Sequence, residues 1–236
     1  MMLAALIAAS ALRAQTNYPA PYTITTIAGQ ALVTGSTDGS GANARFASPQ
    51  GIAVDRDGYI YVADQHTIRK ISPYPGSNVT TLAGLTGVTG SADGIGSNAR
   101  FNWPRGVAVD GSGNVYVADW GNETIRKITP DGNVSTVAGS AGLYGWVDGA
   151  GGAARFGGPW GIAVDGAGNL YVAEVDSNVI RKITADGIVT TIAGTGYVAG
   201  SADGIGSAAQ FSLPMGLAID KFGNLFVADY GNCTIR

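Results

Sequence analysis

Cysteine and histidine are almost missing from this 236-residue sequence, which has one of each, Cys233 and His66. A single cysteine excludes an internal disulfide framework and any cysteine-based zinc site. A single histidine excludes a histidine-rich metal centre and leaves His66 as the one possible base of a Ser–His–Asp triad. No G-x-S-x-G elbow accompanies it, and a lone histidine in a turn is expected to be a polar surface residue. Charge is sparse as well. Asp, Glu, Lys and Arg make up 13% of the chain, against about 25% in an ordinary domain. The net charge of -3 offers no electrostatic footprint for nucleic acid. Sustained helical periodicity is absent too.

The apolar run at residues 1–12 is shorter than the roughly 20 residues a bilayer span needs. With small residues around Ala11 and Ala14 it has the form of a secretory signal peptide, although a basic start is missing. Residues 1–15 are therefore expected to be a signal peptide and 16–22 a linker. The mature chain, with no membrane span, would be secreted, periplasmic or at the cell surface.

What the sequence has in plenty is glycine, 37 residues, roughly twice the usual share, and a repeat. Ala28-Gly29, Ala83-Gly84, Ala138-Gly139 and Ala193-Gly194 recur at intervals of 55 residues. Phe46, Phe101, Phe156 and Phe211 keep the same interval, as do Pro49, Pro104, Pro159 and Pro214. A fixed period of this kind is the signature of stacked supersecondary units. The repeats run over about 29–83, 84–138, 139–193 and 194–236, the last incomplete. Within one unit the runs Gly106–Asp110, Val115–Asp119, Thr124–Ile128 and Val134–Ala138 are short, β-branched and aromatic, separated by Gly/Asn/Asp turns. Thr124–Ile128 alternates apolar and polar residues as a half-exposed strand does. The expected fold is all-β: a β-propeller of four-stranded antiparallel blades whose polarity rises from the inner to the outer strand.

The motifs Pro104-x-Gly-Val-Ala-Val-Asp110, Gly113-Asn-Val-Tyr-Val-Ala-Asp119 and Asn122-x-x-Ile-Arg-Lys127 resemble the NHL repeat. The resemblance recurs four times over residues 23–236. It implies a propeller that commonly has six blades of shorter repeats. The chain starts on a fourth-type strand, Ile24–Ala28, which could complete the last blade. It stops inside a third-type strand at Arg236, so a fragment of a larger propeller is favoured over a closed four-bladed ring, with further blades or domains beyond Arg236.

Antiparallel strands put the turns after the second strand, and the long loops between blades, on one face. Two positions on that face vary where the strands do not: Gln50, Arg105, Trp160 and Met215, and Gln65, Trp120, Val175 and Tyr230. Tyr144, Trp146 and Tyr197 of the long loops are expected to join them. Aromatic and polar variation on a constant scaffold suits a recognition surface, so the leading expectation is an exported scaffold that binds a protein, peptide or glycan.

The repeated carboxylates Asp55, Asp110, Asp165 and Asp220, and Asp64, Asp119, Glu174 and Asp229, are expected to hold their own turns through backbone N–H groups. An axial acidic ring serving a metal-dependent hydrolase or lyase is the second reading, and a purely structural segment of a larger surface protein the third. No cofactor is expected. The Asp-Gly loops at Asp38, Asp93, Asp148 and Asp203 keep calcium open as a minor alternative, each supplying one carboxylate where calcium needs six to eight oxygens. Arg45, Arg100 and Arg155 are expected to pair with nearby carboxylates.

Overall fold

The structure is a computed structural model that describes residues 24–236; the expected signal peptide and linker lie outside the described residues. Each complete repeat folds as one antiparallel sheet, ordered from first to fourth strand. Blade 2 consists of Pro104–Val109, Val115–Asp119, Thr124–Ile128 and Asn133–Ala138. Blade 1 has Pro49–Val54, Ile60–Asp64, Thr67–Ile71 and Asn78–Gly84, and blade 3 has Pro159–Val164, Leu170–Glu174, Val179–Ile183 and Ile188–Ala193. Blade 4 has three strands, Pro214–Ile219, Leu225–Asp229 and Thr234–Ile235. A two-residue strand from the preceding long loop pairs outside the outer strand in blades 1 to 3, as Gly94–Ile95 does in blade 2. The blades therefore carry a fifth, short strand that the sequence pattern does not announce. Ile24–Ala28, expected as a strand, forms none: fourth-type strands elsewhere pair with a third-type strand, and this segment lies beside none.

The turn between the first two strands is fixed by its aspartate. In blade 2, Asp110 accepts hydrogen bonds from the backbone N–H of Ser112 (2.8 Å) and Asn114 (2.9 Å), and from the Asn114 amide and Tyr116 hydroxyl. Burial would raise the Asp110 carboxyl, but these bonds outweigh it and hold it below its ordinary value. Asp165 and Asp220 accept the same two backbone N–H bonds and an Asn amide in blades 3 and 4.

Asp64, Asp119, Glu174 and Asp229 do something different from what was expected. They are buried and accept from backbone N–H groups about 17 residues upstream, in the long loop, and from their own turn Asp119 and Asp229 accept only the Asn122 and Asn232 side-chain amides. Their other partner is the arginine of the third strand. Arg126, expected on a half-exposed strand, is fully buried. Its Nη1 donates to Asp119 (2.9 Å) and the Arg100 carbonyl, and its Nη2 to Asp93 (2.6 Å) and the Ala92 carbonyl. The guanidinium also lies over the Phe101 ring, 5.1 Å from its centroid. Arg69 and Arg181 repeat this arrangement with Asp64 and Asp38, and with Glu174 and Asp148. A planar fork of donors is suited to bridging two carboxylates at once. The Asp-Gly loop carboxylates are thus held by guanidinium, together with Thr81, Thr136 and Thr191. Arg45, Arg100 and Arg155 do not take that role: they donate to loop carbonyls, Arg100 to Ser97 and Ala99.

Blades join through three devices. Apolar side chains of adjacent sheets form shared cores, as Tyr116, Ile125 and Phe156 do with Ile162 and Leu170 between blades 2 and 3. The inner strands also approach so closely that a Cβ on Gly51, Gly106 or Gly161 would sit 2.2, 2.4 or 2.1 Å from the carbonyl oxygen of Arg105, Trp160 or Met215. Only glycine fits there. Finally, the residue just before each third strand reaches into the next blade. His66 Nδ1 accepts from the Trp103 N–H (3.3 Å), Glu123 from Gly158 (2.9 Å), and Asn178 from Leu213 (2.8 Å). His66 is therefore buried rather than a surface residue, and burial lowers its pKa.

Gly216 meets only its own blade. Ile52 of blade 1 is 65% exposed where its equivalents Val107 and Ile162 are buried. Inner strands of blades 1 and 2, 2 and 3, and 3 and 4 lie in contact around the propeller.

Removing one partner of a buried ion pair typically costs about 3–5 kcal/mol. Arg126→Gln should lower the unfolding free energy by that order in urea denaturation, whereas Arg100→Gln, which loses only exposed or half-buried loop contacts, should cost under about 1 kcal/mol. Equal losses would contradict the assignment of the two arginines.

Candidate binding site at the mouth of the propeller

The close approach that glycine permits brings the residue between Pro and Gly of each blade toward the axis. Gln50, Arg105, Trp160 and Met215 line the mouth of a cavity of about 240 Å³ at the long-loop end. The register pairs Pro104 with Asp119, so Trp120, which follows the second strand, stands beside Arg105. The Arg105 guanidinium carbon lies 4.4 Å from the Trp160 ring centroid, 4.9 Å from Trp120 and 5.9 Å from Trp103. Trp120 and Trp160 meet edge to face, with centroids 6.2 Å apart. Burial lowers the Arg105 pKa, with no carboxylate or hydrogen bond acting against it. Its Nε and the Trp120 Nε1 are buried without a protein partner.

Trp103 belongs to this cluster although the expected set omits it. The signal was present: the residue before the repeated proline is Ser48, Trp103, Gly158 and Leu213, a third varying position. Trp103 is held at φ +52°, like Leu213 at +51°, and its N–H is latched by His66.

The remaining expected residues divide. Gln50 is exposed at the rim and donates to Ser48 Oγ (3.2 Å). Met215 lines the cavity, and Tyr230 stands 64% exposed. Gln65 is half-buried in a left-handed conformation. Val175 is buried and packs near Gly158. Trp146 turns to the outer strand of blade 3, where its indole N–H donates to Thr191 Oγ1 (2.8 Å).

Tyr144 and Tyr197 pair with each other, centroids 6.1 Å apart, in a second zone that holds Glu123 and Asp176. Burial pushes the Glu123 carboxyl up to about 7, and Asp176, Glu174 and Asp119 add to the rise. Burial likewise raises Asp176. Gly158 bridges the zones, since it donates to Glu123, would place a Cβ against the Asp176 carboxylate, and leads through Pro159 to Trp160.

The carboxylates that the second reading placed in an axial ring are engaged elsewhere. Asp119 and Glu174 face Arg126 and Arg181 inside their blades. Among the described residues no three His, Cys, Asp or Glu side chains gather as a metal set, and no helix is long and apolar enough to cross a membrane.

The NHL repeat model matches residues 101–128, the segment that carries Trp103, Arg105, Trp120 and the Arg126 pin. This chain is an NHL-repeat β-propeller. Teneurin-3 of Danio rerio is 30% identical over 227 residues, covering 84% of this chain and 8% of the teneurin. The NHL chain thus spans under a tenth of that relative. An auxiliary nutrient binding protein from Bacteroides ovatus superposes with a TM-score of 0.65 at 24% identity, over 82% of this chain and 48% of its own. A streptogramin B lyase superposes at 0.55 with 15% identity, over 80% and 50%. At these identities the two structures show the fold alone.

A carboxyl raised on folding binds more protons in the native than in the unfolded state, so its contribution to stability is lost as pH rises through the folded pKa. Glu123→Gln keeps an acceptor for Gly158 and removes that loss. Its unfolding midpoint relative to the wild type should rise between about pH 4.5 and 7 and level off above. A difference that stays constant over this range in thermal melts would show that Glu123 is not raised.

Proposed function

We propose that this chain is an exported binding scaffold that captures a glycan at the mouth lined by Arg105 and Trp160, with Trp103 and Trp120 packed against Arg105. The observation that carries this reading is the gathering of three indoles and a guanidinium at one point, from positions that vary while the scaffold repeats. Indole faces offer large, rigid contact area for the C–H faces of sugar rings, and Trp and Arg dominate binding hot spots. The cavity volume of about 240 Å³ suits one or two ring-sized units rather than an extended polypeptide. A nutrient-binding protein shares the fold, which is compatible with a small-ligand site on it.

The carboxylates that a hydrolase or lyase reading would recruit are committed to holding blades together, which favours binding over chemistry. Recognition of a protein or peptide would instead require the mouth to act as part of a broad surface. Trp120→Ala and Trp160→Ala should each weaken binding of an oligosaccharide, followed by isothermal titration, by tenfold or more. Trp146→Ala, a loop residue packed on the outer strand of blade 3, should change it less than twofold. Oligosaccharide binding that survives the first two substitutions would move the site elsewhere.

A further inference from the structure

Among the described residues the fully buried guanidinium groups have their charge answered. Arg69, Arg126 and Arg181 each face two carboxylates and two carbonyls. Arg105, half-buried, lies against three indole rings and has no carboxylate partner among the described residues. It is also the one charged side chain among the residues that line the mouth cavity, whose other members are Gln50, Met215, Trp160, glycines and aliphatics. A half-buried cation with no protein acceptor among the described residues costs desolvation that aromatic faces return only in part. An incoming oxyanion would return the rest, in the bidentate geometry the guanidinium fork is shaped for. The indole N–H of Trp120 beside it is likewise buried without a protein partner.

We propose that the ligand of this mouth is an acidic sugar, with its carboxylate or sulfate on Arg105 and its ring against Trp120 and Trp160. This rests on the glycan reading above.

The test is titration by intrinsic tryptophan fluorescence, since three of the four tryptophans surround Arg105. The probes are oligosaccharides carrying one glucuronate or galacturonate, their carboxyl-reduced neutral forms, and the matching sulfate esters. At least one acidic probe should bind tenfold or more tightly than its neutral form, a preference that shrinks as salt rises from 20 to about 500 mM. Arg105→Gln should bring the pair to within about twofold, whereas Lys221→Gln, exposed at the opposite end, should keep the preference. The uronate and sulfate arms identify which oxyanion is used. If Arg105→Gln does not fold, the salt dependence of the wild-type preference decides alone. Neutral forms that bind as well as acidic ones would overturn the acidic-sugar proposal and leave the glycan reading standing. Binding of none of the probes would overturn both.

Discussion

A buried arginine in the third strand of blades 1 to 3 is the contact on which the rest of this propeller depends. Each guanidinium joins the end of the second strand to the Asp-Gly corner of the long loop, and lies on the repeated phenylalanine as it does so. The long loops would otherwise be segments of glycine and small residues with little to bury. Pinned at both ends, they run a fixed course and deliver the residue before each proline to the mouth. The carboxylates that might have formed a catalytic ring are consumed in this role, so the repeated acids of the sequence are framework. Burial pushes Asp119 up to about 6, against the pull of the Asn102 N–H and Arg126; a pair held so far from water is sensitive to the loss of either partner.

The second constraint is the close approach of adjacent inner strands. Gly51, Gly106 and Gly161 allow carbonyl groups of the next blade to come within distances no side chain permits. The same approach gathers the residue that precedes each glycine, and so places Arg105 beside Trp160. Packing and recognition are thus one geometric fact at this end of the molecule. The latch formed by His66, Glu123 and Asn178 tightens it further. Three different side chains perform one task there, accepting a backbone N–H from the neighbouring blade.

Much of this was legible in the sequence. The 55-residue period gave the blades, and the turn residues gave strand boundaries within a residue or two. The comparison of repeats with one another picked out Arg105, Trp120 and Trp160 before any of them had a position in space. What escaped was long-range. Arg126 sits in an alternating strand beside Lys127, and local pattern cannot tell a buried arginine from an exposed one when its carboxylates lie 7 and 33 residues away. The latch was hidden because its residues share a role and not a chemistry. Trp103 was missed although its position varies between repeats as freely as that of Trp160, and Trp146 was included because an aromatic residue in a loop carries no label for the surface it packs on.

In this propeller constant residues build the scaffold, and varying residues at one end are assigned to the ligand. Hydrogen exchange with and without the tightest-binding oligosaccharide tests it most directly. Protection should concentrate at residues 101–106, 119–124 and 157–162, around the three indoles and Arg105. Protection at the opposite end instead, over the aspartate turns 55–59, 110–114 and 165–169, would contradict it.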